Sequence, residues 1–254
     1  MSLLSAQHVH KSYTPGTPVL RDVSFTLEKG QCLGLVGESG CGKSTLARCL
    51  LGIEPIDDGS LLFEGAPLHN LSQRRLRPYR RHIQAVLQNP SAALNPKLRI
   101  KDSLLDPYLQ LGDEVRLQHF HDANRTAFVR QLLEAVELPS SLADRYPHEL
   151  SGGQKQRATI ARAISIEPSV ILLDEPTASL DVLSQAAVLS LLDRLRAQLG
   201  TAYLFISHDL AAVHAMSQTI MVMHEGAIVD RFGKEALFAA ERHPYTQALV
   251  AMFE

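Results

Sequence analysis

Apolar positions along the chain follow two rhythms. Up to about residue 90 they come in short runs broken by turns. Residues 19–27 read as a strand, and Glu28-Lys29-Gly30 turns the chain. Residues 32–36 form a second apolar strand that ends at Gly37. A helix is expected from Lys43, with Leu46, Cys49 and Leu50 on one face and Gly52 near its end. Residues 61–63 and 83–87 are further strand candidates. From about 101 to 162 the rhythm turns helical, with Phe128, Leu132, Leu133 and Val136 at helical spacing. Strands return at 170–173, 202–206 and 219–223, and a helix carrying Val188, Leu191, Leu192 and Leu195 separates the first two. Strands alternating with helices imply a mostly parallel, helix-covered sheet, here interrupted by a helical insert. His224-Glu225-Gly226-Ala227 reads as a hairpin turn, and the tail from Glu235 as helical with a break near Pro244.

Composition narrows the class. The 254 residues, 45% of them hydrophobic, can bury one large core or two small ones. A formal net charge of −2 gives no electrostatic reason for nucleic acid or an anionic membrane surface as partner. No apolar run approaches the roughly 18–20 residues that cross a bilayer. Residues 1–10 lack the basic start and apolar stretch of a signal peptide, so a cytosolic chain is expected. Cys32, Cys41 and Cys49 are not spaced like a zinc site and read as free thiols of a reducing compartment.

Gly37-Glu38-Ser39-Gly40-Cys41-Gly42-Lys43-Ser44 is a complete P-loop, placed after a predicted strand and before a predicted helix. The glycines let the backbone wrap phosphate oxygens, while successive N–H groups and the helix N-terminus supply positive potential. Lys43 is expected to reach the β- and γ-phosphates, and the Ser44 hydroxyl to ligate Mg²⁺. Inside this loop, Lys43 and the helix N-terminus would favour the thiolate of Cys41, although a small residue that merely fits is the plainer reading. Far downstream, the buried strand 170–173 ends in Asp174-Glu175. Carboxylates at the C-terminal edge of such a strand suit a nucleotide site: Asp174 to hold Mg²⁺, and Glu175 to polarise the attacking water.

Leu150-Ser151-Gly152-Gly153-Gln154, at the start of a helix, resembles the signature motif of the ABC ATPases. That resemblance covers nearly the whole chain. It implies an α/β fold: a P-loop, RecA-like ATPase core with an inserted helical subdomain and an N-terminal antiparallel β subdomain. The expected division is one ABC ATPase domain over 1–254, with the core at 1–95 and 163–235, the helical signature subdomain at 96–162 and a helical tail at 236–254. It also implies that Tyr13 stacks on adenine, and that Thr45 joins the P-loop residues in binding nucleotide. Gln88 would touch Mg²⁺ and sense the membrane partner, Ser179-Leu180-Asp181 would cross a dimer interface, and His208 would contact the γ-phosphate. ATP and Mg²⁺ are then the ligands, Glu175, His208 and Lys43 carry catalysis, and ATP is clamped between the P-loop of one subunit and the signature of another.

A narrower likeness lies in residues 87–96, Leu-Gln-Asn-Pro-Ser-Ala-Ala-Leu-Asn-Pro, and in residues 243–249, His-Pro-Tyr-Thr-Gln-Ala-Leu. Both resemble segments of the oligopeptide, dipeptide and nickel importer branch. That branch implies a second cassette, identical or related, two transmembrane permease subunits and an extracytoplasmic binding protein, with the chain peripheral on the cytoplasmic face of the membrane. Many peptide-importing members continue into a cysteine-bearing tail that can hold an iron–sulfur cluster. No cysteine follows Cys49, so no cluster is expected, and the substrate reading leans to nickel or a metal chelate over peptides. A soluble ABC ATPase of DNA repair or translation is the main rival, but the long coiled coil or second cassette usual there is missing from this sequence; a non-catalytic regulatory cassette, against which the complete motif set argues, and an exporter subunit are the others. The arginines at 74, 75, 77, 80 and 81 read as a solvated face, not a nucleic-acid patch. His119 and His121, two apart on a helix, would not share a face and make a poor metal pair.

Overall fold

Continuous apolar runs become fully buried strands, and amphipathic runs become helices laid on them. The computed structural model describes residues 2–112 and 115–252. The 1–254 span therefore includes Met1, Asp113, Glu114, Phe253 and Glu254, which lie outside the described residues. In chain order the elements are β1 (Ser2–Thr14), β2 (Thr17–Glu28), β3 (Cys32–Val36), α1 (Lys43–Leu50), β4 (Asp58–Phe63), β5 (Ala66–Pro67) and α2 (Gln73–His82). Then come β6 (Ile83–Val86), α3 (Pro90–Ala93), α4 (Ile100–Leu111), α5 (Arg125–Ala135), α6 (Gly152–Ile164), β7 (Val170–Asp174) and α7 (Val182–Leu199). The chain closes with β8 (Ala202–Ser207), α8 (Leu210–Met216), β9 (Thr219–His224), β10 (Ala227–Gly233) and α9 (Pro244–Ala251).

These elements fall into two compact units. The first comprises Met1–Tyr79, Leu172–Glu175 and Ala202–Glu254; the second comprises Arg80–Ile171 and Pro176–Thr201.

In the first unit, β2-β1-β4-β5 form an antiparallel sheet. The sequence pattern did not announce β1, and the register explains why. His8 sits at φ +49° where the pairing slips between Ala6 and Val9. A bulge of this kind shifts which face each later residue takes, so Leu4, Ala6 and Val9 no longer share a simple period of two. The other sheet runs β10-β9-β3-β8, with the end of β7 beyond β8. β3 pairs in parallel with both β8 and β9. All five of its residues are buried, which is why its sequence is unbroken by polar positions. A Cβ on Gly34 would lie 2.4 Å from the Ser217 hydroxyl and 2.5 Å from Val213, so glycine is what lets α8 lie flat on the strand. The His224–Ala227 turn is a hairpin, with Glu225 at φ +45° and Gly226 at +84°, the signs a two-residue hairpin turn requires. β10 is thus an antiparallel edge on an otherwise parallel run.

In the second unit, α4, α5 and α6 pack together, and α6 also meets α3, β6 and α7. Two expectations are corrected by the described residues. The histidines at 119 and 121 are not on a helix. Their segment bends around Glu167, whose carboxylate accepts from the N–H groups of Gln118, His119 and Phe120 at 2.7, 2.7 and 2.8 Å. Burial opposes ionisation there, but those three donors and His119 outweigh it and hold the Glu167 carboxyl below its ordinary range. The tail of the first unit is not a helix broken at Pro244. A 3-10 turn at Lys234–Ala236 gives way to irregular chain, and Pro244 begins α9. At the first helical position its missing N–H costs nothing and its fixed φ suits the helix.

Candidate functional site

β3 delivers its last residue, Val36, to Gly37, and the loop then turns through Gly40 (φ +84°) and Gly42 (φ +112°) into α1. Those angles strain any side-chain-bearing residue. α1 has no side-chain cap and no acidic residue in its first turn, so its leading N–H groups are unspent and its positive end is uncompensated. Lys43 is buried at 6% exposure. Its ammonium donates to the Gly37 carbonyl at 2.6 Å and the Glu38 carbonyl at 2.8 Å. The loop therefore wraps its own cation, which is what a polyphosphate cradle needs.

β7 brings Asp174 to the first turn of α1, where the Ser44 hydroxyl donates to Oδ1 at 3.5 Å. Burial, with the neighbouring Glu175 charge, pushes the Asp174 carboxyl above its ordinary value despite Ser44, Lys43 and Arg48. A hydroxyl beside a carboxylate that burial disfavours as an anion fits a hard divalent cation, which would relieve that cost.

Glu175 is built under strain. It sits at φ +53°, a region that costs a non-glycine residue of order 1–3 kcal/mol, and its N–H donates to the Ile206 carbonyl at 2.9 Å. That turn aims its side chain at the end of β8. There Oε1 accepts from the His208 backbone N–H at 3.2 Å and lies 2.8 Å from the imidazole Nδ1, with Oε2 2.7 Å from the same nitrogen. The carboxylate thus fixes the ring and leaves the other imidazole nitrogen for a ligand. Asp209 holds the turn by capping α8 through Ala211 and Ala212 N–H at 2.9 and 3.2 Å. A cavity of about 370 Å³ opens between Gly37–Ser39, His208 and Leu249 of α9.

The structure gathers P-loop residues 37–45, Asp174, Glu175 and His208 in the first unit. Tyr13, at the end of β1 in the same unit, is 53% exposed, with the Lys11 ammonium 5.7 Å from its ring. The second unit holds the remainder. Ser151 caps α6, its hydroxyl accepting from the Gln154 N–H at 3.3 Å while Gln154 returns a bond to the Ser151 N–H at 3.0 Å. This leaves Gly152 and Gly153 at the helix start, and a Cβ on Gly152 would meet Leu180 only at 3.9 Å. Asp181 caps α7 through Ser184, and Leu180 and Ser184 stand 3.9 and 3.7 Å from where Cβ atoms on Gly152 and Gly153 would lie, so the start of α7 borders the signature glycines. Gln88 is exposed between β6 and the Asn89 cap of α3. Tyr245 of α9 is the residue whose place the sequence did not reveal: its motif was visible, but not its contact with the Glu38 N–H at 3.3 Å.

The expectation of an activated thiol at Cys41 is overturned. The side chain is buried, its sulfur 3.8 Å from the Lys43 ammonium. Burial pushes the thiol above its ordinary value; Lys43 and local hydrogen bonds pull it down but do not win. At pH 7.5 Cys41 is therefore a protonated thiol, and the thiolate fraction falls further as pH drops. Iodoacetamide should label it at least about tenfold more slowly than free cysteine, followed by peptide mass spectrometry. Labelling as fast as free cysteine would restore the activated thiol.

A strand-loop-helix phosphate cradle, an acidic strand end beside it and a histidine just past the end of the next strand define a P-loop nucleoside-triphosphate hydrolase. The model of the ABC transporter family matches residues 20–178. A putative peptide import ATP-binding protein of Brucella abortus (strain 2308) is 44% identical over 229 residues, 90% of this chain and 67% of that one. The oligopeptide transport ATP-binding protein AppF of Bacillus subtilis (strain 168) is 43% identical over 230 residues, 90% and 68% of the two chains. Among solved structures, a cassette of Clostridium perfringens that is part of the cbiONQ ABC transporter complex superposes with TM-score 0.81 at 27% identity, covering 94% of this chain and 92% of that one. A bacterial cassette in a dimeric post-hydrolysis state with ADP and phosphate gives 0.78 at 26%, covering 91% and 98%. This chain belongs to the ABC transporter family, as an ATP-binding cassette whose hydrolysis of ATP drives transport.

Proposed function

We propose that the chain powers an importer of peptides, peripheral on the cytoplasmic face of a membrane. Among the described residues no helix is long and apolar enough to cross one. Membrane passage then falls to two permease subunits, fed by an extracytoplasmic binding protein, with a second cassette, identical or related, completing the ATPase. The observation that carries the catalytic reading is the Glu175–His208 pair, whose histidine lines the cavity beside Gly37–Ser39. In this reading Lys43, Thr45 and the loop N–H groups hold the phosphates, Tyr13 stacks on the base, and His208 contacts the γ-phosphate. Ser44 and Asp174, with Gln88, hold Mg²⁺, which when bound neutralises phosphate charge. Glu175 accepts a proton from the attacking water as it closes on the γ-phosphate. Leu150, Ser151, Gly152, Gly153 and Gln154 present their helix start to ATP on the other cassette, and Ser179-Leu180-Asp181 faces that subunit. ATP then favours the closed pair because it touches both cassettes only there, and this differential affinity drives the membrane subunits.

The substrate reading follows the relatives. The importer branch leaves nickel or a metal chelate and peptides as the candidate substrates. The Brucella relative is named for peptide import and AppF for oligopeptide transport, which favours peptides. Cells lacking this subunit should lose uptake of a labelled peptide and keep uptake of radioactive nickel, with or without chelator. Loss of nickel uptake alone would overturn the peptide assignment.

A further inference from the structure

The His243–Leu249 motif has no role in the chemistry above, yet three features tie it to the phosphate-binding loop. First, α9 is locked to β10. The Asp230 carboxylate accepts from the His243 N–H at 3.0 Å and the Thr246 hydroxyl at 2.9 Å, and Arg242 lies 3.5 Å away. Second, the Tyr245 ring stacks on His224 of the β9–β10 hairpin, with centroids 3.9 Å apart and planes 28° from parallel. That hairpin already backs the loop, since the Gly226 N–H donates to the Cys41 carbonyl at 3.0 Å. Third, the Tyr245 hydroxyl accepts from the Glu38 N–H at 3.3 Å.

The peptide group involved makes this contact specific. The Glu38 N–H and the Gly37 carbonyl belong to one planar unit. Its carbonyl end accepts from Lys43 at 2.6 Å, and its N–H end donates to Tyr245. Rotation of that unit would swing the carbonyl away from the ammonium. Burial pushes the Tyr245 phenol above its ordinary value, the Glu38 N–H opposing and the Glu38 carboxylate adding to the rise. The hydroxyl therefore stays neutral at physiological pH and remains available to this bond.

We infer that Tyr245 is a positioning residue for ATP: its hydroxyl fixes the Gly37–Glu38 peptide and through it the pose of Lys43. The motif from His243 to Leu249 is then a strut between the last hairpin and the loop, not a mere end of the fold. This rests on the reading of Lys43 as a phosphate-binding group.

Tyr245→Phe keeps the stack on His224 and removes only the hydroxyl. In the full chain it should raise the Kd for ATP by about 3–10-fold, the range one modest hydrogen bond commands. In the assembled transporter KM should rise with kcat little changed, the mark of binding lost without loss of chemistry. The thermal midpoint should hold, and in nucleotide-free protein the Glu38 amide should exchange faster while the amides of α9 do not. Tyr245→Leu, which also removes the stack, should add a loss of stability. An ATP affinity unchanged in Tyr245→Phe overturns the inference. So does a general rise of exchange across α9 with a lowered midpoint, which would make the residue structural. Amide exchange is read without nucleotide, and wild-type turnover is read separately. A failure of the catalytic reading is thereby distinguished from a failure of the strut.

Discussion

Glu175→Gln is expected to cut ATP turnover by about 10²–10⁴, the contribution of a positioned general base. That is about 3–5 kcal/mol of barrier at 1.36 kcal/mol per decade. Glutamine has nearly the same shape, and its carbonyl oxygen can still accept from the His208 N–H now held at 3.2 Å. The φ of +53° and the bond from residue 175 to the Ile206 carbonyl do not depend on the side-chain charge. The fold and the histidine's place should therefore survive, while the group that takes the proton is lost. ATP binding should persist, and the variant should accumulate as an ATP-bound pair of cassettes. Steady-state ATPase of the assembled transporter, with retention of labelled ATP, checks both. Near-normal turnover would remove Glu175 from the base role and leave it as the anchor of His208.

The sequence made the nucleotide site readable because its chemistry is local. β3, the loop and α1 follow one another, so spacing alone placed Lys43 and Ser44 at a helix start. The apolar run 170–173 ending in Asp174-Glu175 became β7 with its carboxylates at the C-terminal edge. Where local pattern and tertiary context part company, the reading failed. β1 hid behind the slip at His8, which destroys the period a strand is recognised by. The 115–124 segment has helix-like composition, but Glu167 takes its N–H groups one by one and holds it irregular. At Cys41 the charges adjacent in sequence, Lys43 and the helix start, favour a thiolate, and only the plainer reading of a small residue that fits survives packing. Burial, which only the packed structure supplies, decides the sign. The Tyr245 contact spans 207 residues of chain, and no spacing rule reaches that far.

Gly37→Ala is expected to damage both stability and nucleotide binding, for a reason that backbone freedom does not supply. Gly37 does not have a positive φ. What it lacks is room: a Cβ there would lie 2.2 Å from the Met223 carbonyl oxygen and 2.9 Å from the Cys41 sulfur. The first neighbour is backbone of β9, which pairs with β3 and β10 and cannot swing aside as a side-chain tip can. The loop must therefore move. Overpacking of this kind costs about 1–3 kcal/mol, or roughly 4–8 °C in melting temperature for a chain of this size if the cost is near the middle of that range. Movement also displaces the Gly37 carbonyl that holds the Lys43 ammonium at 2.6 Å. A shift of about 1 Å in a positioning group can cost 10²-fold, so ATP affinity should fall by about 10–100-fold. Gly30→Ala is the contrasting case. At φ +68° with nothing within 4 Å of an added Cβ, it suffers only left-handed strain, about 1 kcal/mol, and should bind ATP as the parent does. Calorimetric titration with ATP and thermal melts on both variants separate the two effects. If Gly37→Ala melts earlier yet binds ATP with parental affinity, the loop can leave the Met223 carbonyl without disturbing Lys43, and close backing by β9 is not what shapes the cradle.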